Sequence, residues 1–154
     1  RLKFKTLPAA IGNAGLYNNE AVIRSCLQLN DEVAVEAVNS LRRAPCDDFR
    51  FSELTNLIGN LEGDLELRQN AYIRAWDCPS IELSHFAEAH IVREPSDNFR
   101  NLIYSHALST EMLGEYGSLF SGILSLFDMS QFSTAKSHSL KYVLAVAKCF
   151  YGFL

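Results

Sequence analysis

Apolar residues along this chain recur at three- and four-residue intervals, the spacing that gathers them on one side of a helix. Ala21, Val22, Cys26 and Leu27 form one such stripe, and Asn18 or Asn19 is placed to cap the helix that carries it to about residue 28. Ala34, Ala37 or Val38, and Leu41 form the next, which starts at Asn30 or Asp31 and stops at Pro45. A helix over 51–58 ends at Gly59 and Asn60. Another, over 64–76, carries a wide band of Leu65, Leu67, Ala71, Tyr72, Ala75 and Trp76. A band that wide suits a helix touching more than one neighbour. Further helices are predicted over 80–93 and 96–108, divided by a stop at Glu94-Pro95. Pro8 opens a short helix that ends at Gly12 or Gly15. Only 32–38 alternates as a strand would, and its flanks are helical.

One device occurs twice in this pattern. Asn30-Asp31-Glu32 leads through an apolar helical stripe to Arg42-Arg43 and then to Pro45-Cys46. Gly63-Asp64 leads through a second stripe to Arg74 and then to Cys78-Pro79. Each copy opens acidic, turns basic where positive charge favours the helix dipole, and closes on a cysteine beside a proline. A helical period in the thirties is the signature of a repeat array whose units bury their apolar faces only by stacking. The expected fold is all-α: a right-handed α-α superhelix, a two-layer helical solenoid of which this chain is a fragment.

The remainder of the chain changes character after residue 109. It is rich in Ser, Gly, Leu and Phe, and acidic residues cease after Asp128. Helices over 111–127 and 134–150 are predicted there, the first weakened by Gly114, Gly117 and Gly122.

At 154 residues the chain is long enough for a real core, and a net charge of -4 leaves no excess of Lys and Arg for phosphates. A nucleic-acid partner is therefore not expected. Nor is a transmembrane segment: the most apolar stretch, 142–154, is too short and contains Lys148. The first residue is Arg1 and not Met, so a mature piece or a fragment is expected.

Several segments carry a resemblance. Ala10-Ile11-Gly12-Asn13-Ala14-Gly15, Val35 to Cys46, Glu66-Leu67-Arg68-Gln69-Asn70-Ala71-Tyr72, Asp77-Cys78-Pro79-Ser80, Glu94-Pro95-Ser96 and Ile103-Tyr104-Ser105-His106 follow one another in this order. In that order they resemble the helical domain of the large lipid transfer proteins: vitellogenins, insect apolipophorins, apolipoprotein B and the large subunit of microsomal triglyceride transfer protein. Residues 1–109 look like part of that domain, and 110–154 form a divergent helical tail. Trp76 and Asp77 depart from the family, which has Met or Leu and Arg there.

The resemblance implies a secreted lipid transport protein, a lipoprotein or yolk precursor, with lipid as cargo of the full-length protein and no cofactor. The helical domain in that family wraps and braces the β-sheets that line the lipid cavity and offers its surface to protein partners. It also implies a structural disulfide between Cys46 and Cys78. Both residues follow helix ends one repeat apart, and equivalent positions of successive repeats are neighbours in a solenoid. Closing a loop of about thirty residues contributes roughly 3–4 kcal/mol in the chain-entropy model. The alternative is an intracellular HEAT-like adaptor in which both positions are buried thiols. Cys26 and Cys149 are read as unpaired or structural.

No catalytic constellation is apparent, and the chain is not expected to be an enzyme. His85, Glu88 and His90 suggest ligands, but a zinc helix places its histidines one turn apart, so solvated or capping roles are expected. Ser105-His106 and Ser137-His138 are adjacent pairs that point to different sides of a helix. Asp47 and Asp48 read as caps of the following helix, and Arg42 and Arg43 as a solvated helix end. No lipid-binding residue is singled out.

Overall fold

The computed structural model describes residues 20–29 and 31–113, together with 119, 122, 123 and 126. Helices α1 (Glu20–Leu27), α2 (Asp31–Ser40), α3 (Asp48–Gly59), α4 (Leu65–Ala75), α5 (Ile81–Ile91) and α6 (Asp97–Leu113) follow in order, with a 3-10 turn over Leu41–Arg43 after α2. There is no strand among the described residues, and 32–38 lies inside α2. The helix expected near Pro8 and the segments 127–154, including Cys149 and Ser137-His138, lie outside the described residues.

Side-chain caps set most helix starts. Asp47 accepts a bond from the Arg50 amide, Asp64 from Leu67 and Ser80 from Leu83, each satisfying an amide the helix cannot pair internally. The Asp47 cap explains why α3 begins at Asp48, three residues before the predicted start. Pro45 ends the preceding segment as expected, yet the chain tightens into the 3-10 turn before it. α6 runs on past the predicted end near 108, because no glycine or proline stands between Leu108 and Leu113.

The chain divides into two compact units, Arg1–Pro79 and Ser80–Leu154. In the first, α2 packs on α1 and α4, and α4 also packs on α3. α2 and α4 are the helices of the two repeat copies, so the copies are neighbours. Their partners also meet: the Arg24 guanidinium on α1 pairs with Glu53 on α3 at 2.9 Å and lies over the Phe49 ring. The core is built from Val33, Ala34, Ala37, Val38 and Leu41 of the first copy, and Leu67, Ala71, Tyr72, Ala75 and Trp76 of the second. Trp76 meets Tyr72 edge-on, so the larger ring at this position is a core residue. The α1 stripe is rotated from its expected place. Ile23, Cys26 and Leu27 are buried while Ala21 is exposed, since 23, 26 and 27 share a face and 21 does not.

In the second unit α5 packs against α6. Leu83, Ala87 and Ile91 of α5 and Phe99, Ile103, Tyr104 and Ala107 of α6 are its buried apolar residues, joined by Ile123.

Candidate functional site

Cys46 and Cys78 are joined by a disulfide, with Cα atoms 5.7 Å apart. Neither cysteine lies on a helix: Cys46 follows the 3-10 turn and Pro45, and Cys78 follows the end of α4. The bond therefore ties the closing segment of one repeat copy to that of the next. Cys46 is exposed and Cys78 half-buried, so the junction sits at the surface of the unit.

Beside the bond lies a buried arginine that sequence reading passed over. Arg50, in the first turn of α3, is 3% exposed. Its Nη1 donates to the Ala44 carbonyl at 2.8 Å, and its Nη2 donates to the Arg74 carbonyl at 2.9 Å. Nη2 also approaches Oδ2 of Asp77 at 3.4 Å, an oxygen that Arg74 contacts at 3.2 Å. Ala44 precedes Cys46 by two residues, and Asp77 adjoins Cys78. One guanidinium thus spans the two segments that the disulfide joins. A planar fork with several donors suits this task, and a lysine does not offer the same geometry. Asp77, which departs from the lipid-transfer pattern in sequence, supplies the carboxylate on which Arg50 and Arg74 converge.

A second polar cluster lies in the other unit. Nε2 of His90 is 2.7 Å from Oε2 of Glu94, and the two residues are 1% and 2% exposed. The His90 ring stacks on Phe86 and tilts against Phe99. Oε1 of Glu94 accepts the Ser96 amide, and the Glu94 carbonyl accepts from Arg100. His90 is therefore neither solvated nor a cap, contrary to expectation. Its position on α5 faces the inside, and Glu94, one turn further on, meets its ring there. His85 is exposed, as expected.

The two arginines belong to one recurring segment. Pro45-Cys46-Asp47-Asp48-Phe49-Arg50 and Pro95-Ser96-Asp97-Asn98-Phe99-Arg100 match in four of six positions, with Asp48 opposite Asn98 and Cys46 opposite Ser96. In both, the arginine reaches back to the carbonyl of the residue before the proline. The signal was present in the sequence, at a longer spacing than the repeat in the thirties. Its physical reason is that the residue before proline is extended and its carbonyl is left outside the helix ladder.

The other candidates separate. Asp47 caps α3 and Asp48 is its first residue. Arg42 and Arg43 are exposed on the 3-10 turn. Ser105 and His106 are both half-buried on α6, and burial lowers the pKa of His106. Cys26 is a buried free thiol whose pKa burial pushes up, which makes it a poor nucleophile. Among the described residues no group of three or more His, Cys, Asp or Glu side chains is placed to hold a metal ion. No helix among them is long and apolar enough to cross a membrane. The chemistry of the junction is thus that of a cross-link between neighbouring repeats. Comparison with protein-family models, with curated proteins and with solved structures finds no match to this chain.

Proposed function

We propose that this chain is a non-catalytic helical scaffold of a secreted lipid transport protein, a lipoprotein or yolk precursor. Its repeats stack as a right-handed two-layer superhelix that braces the sheets around the lipid cavity. The observation that carries the reading is the Cys46–Cys78 bond between the closing segments of neighbouring repeats. A disulfide of this kind belongs to an oxidising compartment, and the resemblance in motif order implies a bond at these two positions. Bracing needs a rigid frame, and a cross-link between adjacent repeats supplies one.

The test follows the native protein. An antibody raised against the 154-residue chain is used to track it through density-gradient flotation of extracellular fluid and cell lysate. Recovery from the fluid at lipid-rich density, with a Cys46–Cys78 peptide in non-reducing mass spectrometry, is the expected result. Recovery from the cytosol at the density of lipid-free protein, with both thiols reduced, overturns the reading in favour of a HEAT-like adaptor.

A further inference from the structure

We propose that Arg50 is a positioning residue for the Cys46–Cys78 bond. Its guanidinium assembles the junction while the thiols are reduced, and the disulfide then locks a contact already made. Three observations combine. Arg50 donates to Ala44 on one side of the bond and to Arg74 on the other, at 2.8 and 2.9 Å, so it bridges the same gap through contacts that involve no sulfur atom. The cysteine segments are also fixed locally, by the Ala44 amide bonded to Leu41 and the Cys78 amide bonded to Ala75. Most telling is the second copy of the segment. There Ser96 stands where Cys46 does, no disulfide is possible at that position, and Arg100 still holds the carbonyl before the proline. The arginine clamp is therefore a device that works without a cysteine. In the first copy it also reaches a neighbouring helix end, and the cysteine pair lies beside it.

The oxidation is ordinary thiol exchange. With glutathione disulfide as oxidant, one cysteine thiolate attacks a glutathione sulfur and releases glutathione thiolate. The other cysteine thiolate then attacks the protein sulfur of the mixed disulfide and releases the second. One protein S–S bond forms, one glutathione S–S bond is lost, and the two thiol protons end on the two glutathiones. Arg50 takes no part in these steps. It raises the effective concentration of one cysteine toward the other, because the loops no longer pay the entropy of meeting. The proposal rests on the junction alone and stands apart from the lipid reading.

The full chain is equilibrated in glutathione redox buffers, and the bonded fraction is read by alkylation and mass spectrometry. The effective concentration of the pair is expected to fall about tenfold or more in Arg50→Met, since charge-assisted bonds across the gap are lost. Arg50→Lys recovers part of it. Arg68→Met is the control for general loss of stability. Arg68 is equally buried in the same unit, but its Nε donates to the Ile58 carbonyl within the α3–α4 pair. Equal falls in Arg50→Met and Arg68→Met, or no fall in Arg50→Met, overturn the proposal. Should Arg50→Met fail to fold, a Cys46→Ser, Cys78→Ser double variant answers the question with Arg50 in place. Slow hydrogen exchange at the amides of positions 77 and 78, which bond the Arg74 and Ala75 carbonyls, is the expected result. Fast exchange there while α3 stays protected shows that the bond makes the junction, and the proposal fails.

Discussion

The two Pro-x-Asp-Asx-Phe-Arg segments begin alike and are secured differently. At 45–50 the arginine is buried between two chain segments, and a disulfide joins the same two segments. At 95–100 the bonds around the segment are local: His90 meets Glu94, Glu94 accepts the Ser96 amide and an Arg100 donor, and Arg100 pairs with Asp97. The phenylalanines differ accordingly. Phe49 is half-buried under the Arg24 guanidinium, whereas Phe99 is fully buried against the His90 ring. One turn chemistry thus serves two ends. In the first unit it fixes one repeat to the next, with a covalent lock whose state follows the redox compartment. In the second it folds a single helical hairpin around a buried polar pair.

The largest expected effect tests the second of these. Glu94→Ala leaves His90 buried without its carboxylate and the Ser96 amide without its acceptor, and costs about 3–5 kcal/mol. Segment-resolved hydrogen exchange should place the loss in 81–107 and leave 31–78 unchanged. A loss below about 1 kcal/mol would mean that the pair is replaceable, and the contrast between the units would collapse. Next in size is the covalent lock. Replacing Cys46 and Cys78 with serine removes about 3–4 kcal/mol, given a sequence separation of 32 residues. The loss belongs to the first unit, and reductant reproduces it in the wild type while leaving 81–107 protected.

Smaller effects sharpen the likeness of the two segments. Asp47 and Ser96 both accept a bond from a first-turn amide, of Arg50 and of Phe99 respectively. Asp47→Ala and Ser96→Ala should each cost about 1 kcal/mol. Denaturant titration followed by exchange in each unit reads the two values. A difference well beyond that size between them would show that the turns are alike in sequence only.

How much of this was legible beforehand depends on residue type. Helices announced themselves through apolar spacing, and one cap was legible: Asp47 accepts the Arg50 amide, while Asp64 and Ser80, where two helices were expected to begin, also prove to be caps. The neighbouring placement of α2 and α4 was implicit in the repeat, because a short repeat has only its copies to pack against. Buried polar residues were not legible. Arg50, Arg68 and His90 stand on helices that also carry exposed polar residues such as Asp48, Glu66 and His85, and nothing local distinguishes a solvated arginine from one that crosses to another segment. The two arginines depend for their burial on carbonyls at Ala44, Arg74 and Ile58, near the ends of other segments, and His90 depends on Glu94. The exception is the arginine turn itself, which two matching segments made visible to a comparison at the right spacing.

Acid gives the finest test of the contrast, because all four histidines, at 85, 90, 106 and 138, fall in the second unit, which begins at Ser80. His106, half-buried on α6, has its pKa lowered below the ordinary 6.5 by burial, which disfavours the charged ring. The unfolded chain therefore binds the His106 proton at a higher pH than the folded chain does. Between those two values the unfolded state holds more protons, so stability rises with pH across the window. The contribution is complete above 6.5 and is lost as pH falls from there toward the lowered value. His106→Gln, which cannot charge, should flatten the pH dependence of exchange over 97–107 while leaving the Cys46–Cys78 junction unaffected. An unchanged slope in that variant would place the acid response of the second unit on another group, and a slope appearing equally in 31–78 would end the idea that the two units answer to different conditions.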